Sequence, residues 1–125
     1  MNERREFTRI VRPLEVDIVS AGDSELSGVT RDVSMKGLLV STGVRRDNGT
    51  DVRCTVYLDG RDNPARIVAL GNIVRQTAEG MAIAFRAVEG LESLEHLQQL
   101  LRLNAGADLE QVEREIAAHV GLMPR

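Results

Sequence analysis

Aromatic residues are almost missing from this chain. Phe7, Tyr57 and Phe85 are the whole supply, and there is no tryptophan. That is too few rings to stack the bases of a single-stranded nucleic acid. Cys54 is the only cysteine, so an internal disulfide is excluded and a reducing, cytoplasmic setting is expected. No apolar run approaches membrane-spanning length, so no membrane insertion is expected. The arginine-rich start has no apolar segment behind it of the kind a secretory signal needs. The two histidines, His96 and His119, fall on separate expected helices and form no metal-ligand set. Ser34, the serine of most interest below, has no evident base to activate it. The expectation is a binding module with no catalytic residue, no metal and no cofactor.

What is present fits one domain. A chain of 125 residues can bury roughly two-thirds of its unfolded surface, enough for a core without metals or disulfides. Hydrophobic residues make up 42% and charged residues 28%, an ordinary globular balance. The net charge is -3, but it is unevenly spread. Glu3 to Arg12 holds Arg4, Arg5, Arg9 and Arg12 against Glu3 and Glu6, whereas the stretch from Glu89 onward is acid-rich. A local basic arm on a mildly acidic body suits a compact anionic ligand better than a long DNA or RNA track.

Three regions follow from the patterning: an arginine-rich flexible arm over 1–12, a β-region over 13–88 and a helical segment over 89–125. After Pro13, Leu14, Val16 and Ile18 alternate with Glu15 and Asp17, the mark of a half-buried strand. Strands are expected over Leu26 to Val33, Leu38 to Val40, Val52 to Leu58, Arg66 to Arg75 and Met81 to Phe85, separated by Gly-, Asn- and Asp-rich turns. Cys54 falls on the inward side of its strand and reads as core. The strand Arg66 to Arg75 has apolar residues on both faces, and its register stays ambiguous. The period then becomes helical. Leu91, Leu94, Leu97 and Leu101 make one stripe, and Leu109, Val112, Ile116 and Val120 a second, ending near Gly121 and Pro124. Asp108 with Gln111 has capping-box spacing. The glutamates of 89–115 read as the wet faces of these helices. Six short strands followed by helices imply a mainly β fold, an antiparallel barrel or sandwich with C-terminal α-helices.

Two motifs carry chemistry. The first is Arg5-Glu6-Phe7-Thr8-Arg9, with Arg4 directly before it. Arg5 and Arg9 share a side in either a helical turn or an extended arm. Their guanidinium forks match phosphate oxygens and the O6/N7 edge of guanine, and they stack on purines. The second is Asp32-Val33-Ser34-Met35-Lys36-Gly37 at a strand exit. Asp32 and Ser34 share a side there. A carboxylate can accept from the N1–H and amino group of guanine, and a hydroxyl can donate or accept. Gly37 allows close backbone approach or a sharp turn. As plain structure, the same motifs read as a solvated terminus and an Asp/Ser turn.

The RxxxR arm followed by a [DN]xSxxG motif, with Gly80 to Phe85 as a glycine-led last strand, resembles the PilZ domain family over about residues 3 to 100. The resemblance implies a six-stranded antiparallel β-barrel with a C-terminal helix, from a bacterium, that acts as a receptor for cyclic di-GMP. It also implies roles by position. Arg5 and Arg9 would take phosphate and guanine contacts, Asp32 and Ser34 guanine edges, and Gly37 the turn. Arg4 stands where the family decides between one ligand and a stacked pair, and Arg75 is a candidate for the pocket wall. With no output domain expected on the chain, the signal would pass to an unknown protein effector. The second helix is expected to pack within the subunit, with a homodimer as the alternative. The rival readings are a PilZ-like protein-interaction adaptor that binds no nucleotide, and a small-barrel nucleic-acid binder using the same arginines.

Overall fold

Alternating apolar and polar residues give each strand one face for a core and one for solvent, and here the core faces close on themselves. The computed structural model describes residues 7–118 and the backbone of Met123–Pro124. Strands β1 (Glu15–Val19), β2 (Leu26–Ser34), β3 (Gly37–Ser41), β4 (Asp51–Tyr57), β5 (Arg66–Gln76) and β6 (Gly80–Val88) form an antiparallel sheet in the order β3-β2-β1-β4-β5-β6, and β3 pairs with β6 to close the barrel. Closure removes the exposed sheet edges that would otherwise invite association. The interior holds Val16, Ile18, Val40, Cys54, Val56, Ile67, Ile73, Met81 and Ile83, each at most 2% exposed. The fold is thus the six-stranded antiparallel barrel that the resemblance implies, which decides between the barrel and the sandwich that the strand spacing leaves open.

The register of β5 resolves in favour of Ile67, Ala69, Gly71 and Ile73 facing inward, with Val68 and Leu70 half-buried outside. Residue type alone misleads because two inward positions are small. A side chain on Gly71 would collide with the Ala84 carbonyl on the neighbouring strand.

Helix α1 (Gly90–Asn104) packs against β5 and places Leu94, Leu97, Leu100 and Leu101 in the same core cluster as the barrel interior. Leu91, expected in that stripe, is 61% exposed in the first turn, and Leu100 lies on the buried side instead. Ser93 Oγ accepts the Val68 N–H at 3.0 Å, and His96 Nδ1 faces the Arg66 carbonyl at 2.8 Å. These contacts satisfy the start of β5 beyond the end of β6. A 3-10 turn (Gly106–Asp108) leads into α2 (Leu109–Ala118), which packs on α1 with Val112 and Ile116 buried. The capping box expected of Asp108 and Gln111 is replaced by other bonds. The Gln111 amide turns forward to Glu115 at 3.1 Å and receives Arg114 at 2.9 Å. A two-residue strand, β7 (Met123–Pro124), adds in parallel to β6 at Ala87 and Val88; the sequence reading had no strand there. His119, Val120 and Gly121 lie outside the described residues.

Candidate ligand-binding site

The arm meets the barrel through its backbone. Buried Thr30 on β2 fixes its base, because the Thr30 hydroxyl accepts the Leu14 N–H at 2.9 Å and donates to the Arg12 carbonyl at 2.6 Å. Further out, Ile10 and Val33 exchange both backbone hydrogen bonds, at 2.9 and 3.0 Å, and Ile10 is buried. Arg12 donates to Asn104 Oδ1 on α1 at 3.0 Å. Thr8 bonds Glu115 on α2 through both its N–H (3.0 Å) and its hydroxyl (2.9 Å). Glu115 is therefore buried and engaged with the arm, which corrects the reading of it as part of a wet helix face. Glu89, the residue just before α1, stays partly exposed; its carboxylate is paired with Arg53 at 2.8 and 2.9 Å and held below its ordinary pKa by that bond.

Two bulges turn the motif residues outward. Arg31 is an extra residue between the pairs Thr30–Val40 and Asp32–Leu39. A bulge shifts side-chain parity by one. Thr30 faces in, then Val33 faces in, and Asp32 and Ser34 fall on the outer wall, where Asp32 is half-buried and Ser34 is buried. Val74 does the same on β5, between Ile73–Ile83 and Arg75–Ala82. The outer wall there is made of Gly37 opposite Ala84 and Leu39 opposite Ala82. The small residues Gly37, Ala82 and Ala84 leave a hollow of about 150 Å³ between the bulged strands, with Leu39 among its walls. Gly37 has a specific requirement for its lack of a side chain, because a Cβ would collide with the Ile83 carbonyl.

Arg9, Asp32, Ser34, Gly37 and Arg75 all line this hollow. Arg4 and Arg5 lie outside the described residues. Lys36 and Val74 line it too, and the sequence reading gave neither a role. The signal for Lys36 was a cation inside the second motif; Val74 had none, since its position depends on the bulge. Arg9 Nη1 stands 3.8 Å from Asp32 Oδ2, with side chains 37% and 18% exposed, an ion pair loose enough to be exchanged for a ligand. Lys36 Nζ lies 5.8 Å from the centre of the Phe7 ring, a second contact between arm and rim. Ser34 Oγ accepts the Lys36 N–H at 3.1 Å and donates to the Gly37 carbonyl at 3.4 Å. It shapes the turn and keeps acceptor capacity. Among the described residues, three cations against one carboxylate line the hollow and make it attractive to an anion. Its volume is below the roughly 300–1,000 Å³ that encloses a whole small-molecule ligand. That volume has room for a single ring or a phosphate and not for a whole dinucleotide.

A six-stranded closed barrel, with a cationic arm beside a small-residue hollow on its outer wall, defines a class of small β-barrel domains. The chain belongs to the PilZ domain family, whose model matches residues 3–103. Solved structures agree on the fold. The inhibitor of motility MotI/DgrA of Bacillus subtilis is similar with a TM-score of 0.64 at 18% identity over 84% of this chain. That match spans only 53% of MotI, about half its length. The PilZ domain of CeSA, from a cellulose-synthesizing bacterium, gives 0.56 at 24% identity, covering 81% of this chain and 98% of its own. The PilZ domain of YcgR from Escherichia coli, solved with c-di-GMP, gives 0.59 at 18% identity, covering 94% and 100%. A search of curated proteins finds no match. Helix α2 lies beyond the segment that the family model matches.

Proposed function

We propose that this domain is a receptor for cyclic di-GMP. PilZ domains are a cyclic di-GMP-binding family, typically receptors or adaptors rather than enzymes. One observation carries the reading to this chain: Arg9, Asp32, Ser34, Gly37 and Arg75, separated by up to 66 positions in sequence, line one hollow. Each group has a use for this ligand. Arg9, with Arg5 and Arg4 preceding it, supplies guanidinium forks for phosphates and guanine edges. Asp32 accepts from the guanine N1–H and amino group once Arg9 moves from it to the ligand. Ser34 offers a hydroxyl, the small-residue floor admits a ring, and Arg75 closes the wall. The ligand draws the arm down, and the changed surface of arm and barrel is what a protein partner reads.

Calorimetric titration with cyclic di-GMP, using GTP and cyclic GMP as controls, tests this. Saturable binding of cyclic di-GMP alone is expected, and its stoichiometry gives the number of ligands per chain. A flat titration would overturn the reading and leave a protein-interaction adaptor of the same fold.

A further inference from the structure

Glu115 is a carboxylate in the wrong place for an ordinary surface helix. It is 6% exposed and lies between the buried stripe residues Val112 and Ile116. Burying a carboxylate is costly unless hydrogen bonds to the charged form offset it. Glu115 receives them from the arm. Both of its oxygens lie 3.0 Å from the Thr8 N–H, and Oε2 also accepts the Thr8 hydroxyl at 2.9 Å and the Gln111 amide at 3.1 Å. The neighbours of Thr8 make this consequential. Arg9 follows it in the chain and faces Asp32, and Ile10 is pinned to Val33. Arg9 is thus held from both sides, by the barrel after it and by α2 before it.

We infer that Glu115 is a positioning residue for the ligand site, and that the Thr8–Glu115 clasp couples that site to α2. This rests on the receptor reading above. The clasp holds the arm in the register that presents Arg9 to the hollow, lowering the ordering cost of binding. Coupling is reciprocal: whatever the clasp adds to ligand affinity, the ligand adds to the docking of α2. Helix α2 carries Glu110, Glu113 and Arg114 on its exposed side, so the occupancy of the hollow is expressed on a surface whose residues do not line it.

The test uses the full chain as wild type, Thr8→Val, Glu115→Ala and Glu115→Gln, each titrated with cyclic di-GMP and followed by hydrogen exchange. Glu115→Ala is expected to weaken binding about tenfold and Thr8→Val, which loses only the hydroxyl bond, about threefold. Glu115→Gln, whose amide oxygen still accepts from Thr8, should recover most of the loss. In the wild type the ligand should slow exchange at 109–118, and in Glu115→Ala that effect should vanish. Wild-type affinity in both Thr8→Val and Glu115→Ala, or ligand binding with unchanged α2 exchange, overturns the clasp while the receptor reading stands. If the wild type binds no cyclic di-GMP, the receptor reading fails instead. The clasp is then judged by ligand-free exchange at 8–10, which it requires to be faster in Glu115→Ala. Should that variant not fold, Thr8→Val decides by the same measurements.

Discussion

Ile10 and Val33 exchange a closed pair of backbone hydrogen bonds, and that one bridge sets the register of the arm on the second motif. With residue 10 fixed opposite residue 33 in antiparallel pairing, Arg9 falls opposite Ser34, and its long side chain reaches diagonally to Asp32, where the ion pair is 3.8 Å long. The guanidinium is therefore poised at the rim before any ligand arrives. The pair with Asp32 is itself worth little, but removing the cation from a contact that a bound ligand desolvates costs roughly 2–5 kcal/mol. Arg9→Ala should therefore weaken cyclic di-GMP binding by roughly thirty-fold or more. Because the contact is ionic, added salt should weaken the wild type more than the variant. Titrations of both proteins at low and high salt check the two expectations. Equal affinities would remove Arg9 from the site.

Gly37 sits where β3 and β6 seal the barrel, with its missing side chain directed at the Ile83 carbonyl. Gly37→Val should wedge this seam and fill the hollow together. Overpacking of this kind costs about 1–3 kcal/mol. The denaturation midpoint should fall, and ligand binding should be lost at temperatures where the variant is still folded. Gly43→Ala is the control, since a Cβ there meets nothing within 4 Å and its backbone is not left-handed. It should match the wild type in both measurements.

The strands were legible because polar and apolar residues alternate cleanly in β1 and β4, and the two motifs were legible because their spacing is short and local. What was not legible depends on single extra residues or on contacts across the whole chain. Unbroken alternation would put Asp32 on the same face as Thr30, inside the barrel; only the bulge at Arg31 turns it outward. Arg75 reaches the hollow through the equivalent device at Val74. Lys36 was visible as a cation, but its place at the rim follows from the turn that Ser34 and Gly37 make. Glu115 had no local mark. Among the glutamates of the two helices, only its bond to Thr8, 107 positions away, sets it apart as an arm contact.

Cys54 lies wholly inside the barrel at 0% exposure, and burial pushes its thiol pKa up to about 12. At neutral pH the nucleophilic thiolate is therefore suppressed as well as inaccessible. A disulfide reagent such as 5,5′-dithiobis(2-nitrobenzoate) should leave the native protein unmodified and titrate one thiol after denaturation. Slow reaction of the native protein should follow the unfolding equilibrium as denaturant is added. Prompt reaction under native conditions would show that the barrel opens around β4 far more readily than its packing implies.

On β1, paired directly with β4, Asp17 anchors a polar cluster on the barrel's outer wall. Arg61 grips both of its oxygens at 2.6 and 2.7 Å, and Tyr57 and Ser27 each donate at 2.8 Å. The guanidiniums of Arg61 and Arg66 lie 4.6 and 5.0 Å from the centre of the Tyr57 ring. The Arg61 hydrogen bonds above all, then those from Tyr57 and Ser27, hold the Asp17 carboxyl well below the usual carboxylate range, against the opposing effect of burial. A depressed folded-state pKa stabilises the protein above the unfolded value of about 3.9, and that stabilisation is lost as pH falls toward the folded value. Stability from this cluster should be flat around neutrality and decline below about pH 4. Asp17→Asn should lower stability at neutral pH by about 2 kcal/mol, the scale of hydrogen bonds to a charged group, kept from being larger by the 42% exposure of Arg61. It should also flatten the acid limb, so that wild type and variant converge as pH falls. Urea midpoints of both proteins at neutral pH and about pH 3 measure this. A constant gap between them would assign the stabilisation to shape and not to the charge of Asp17.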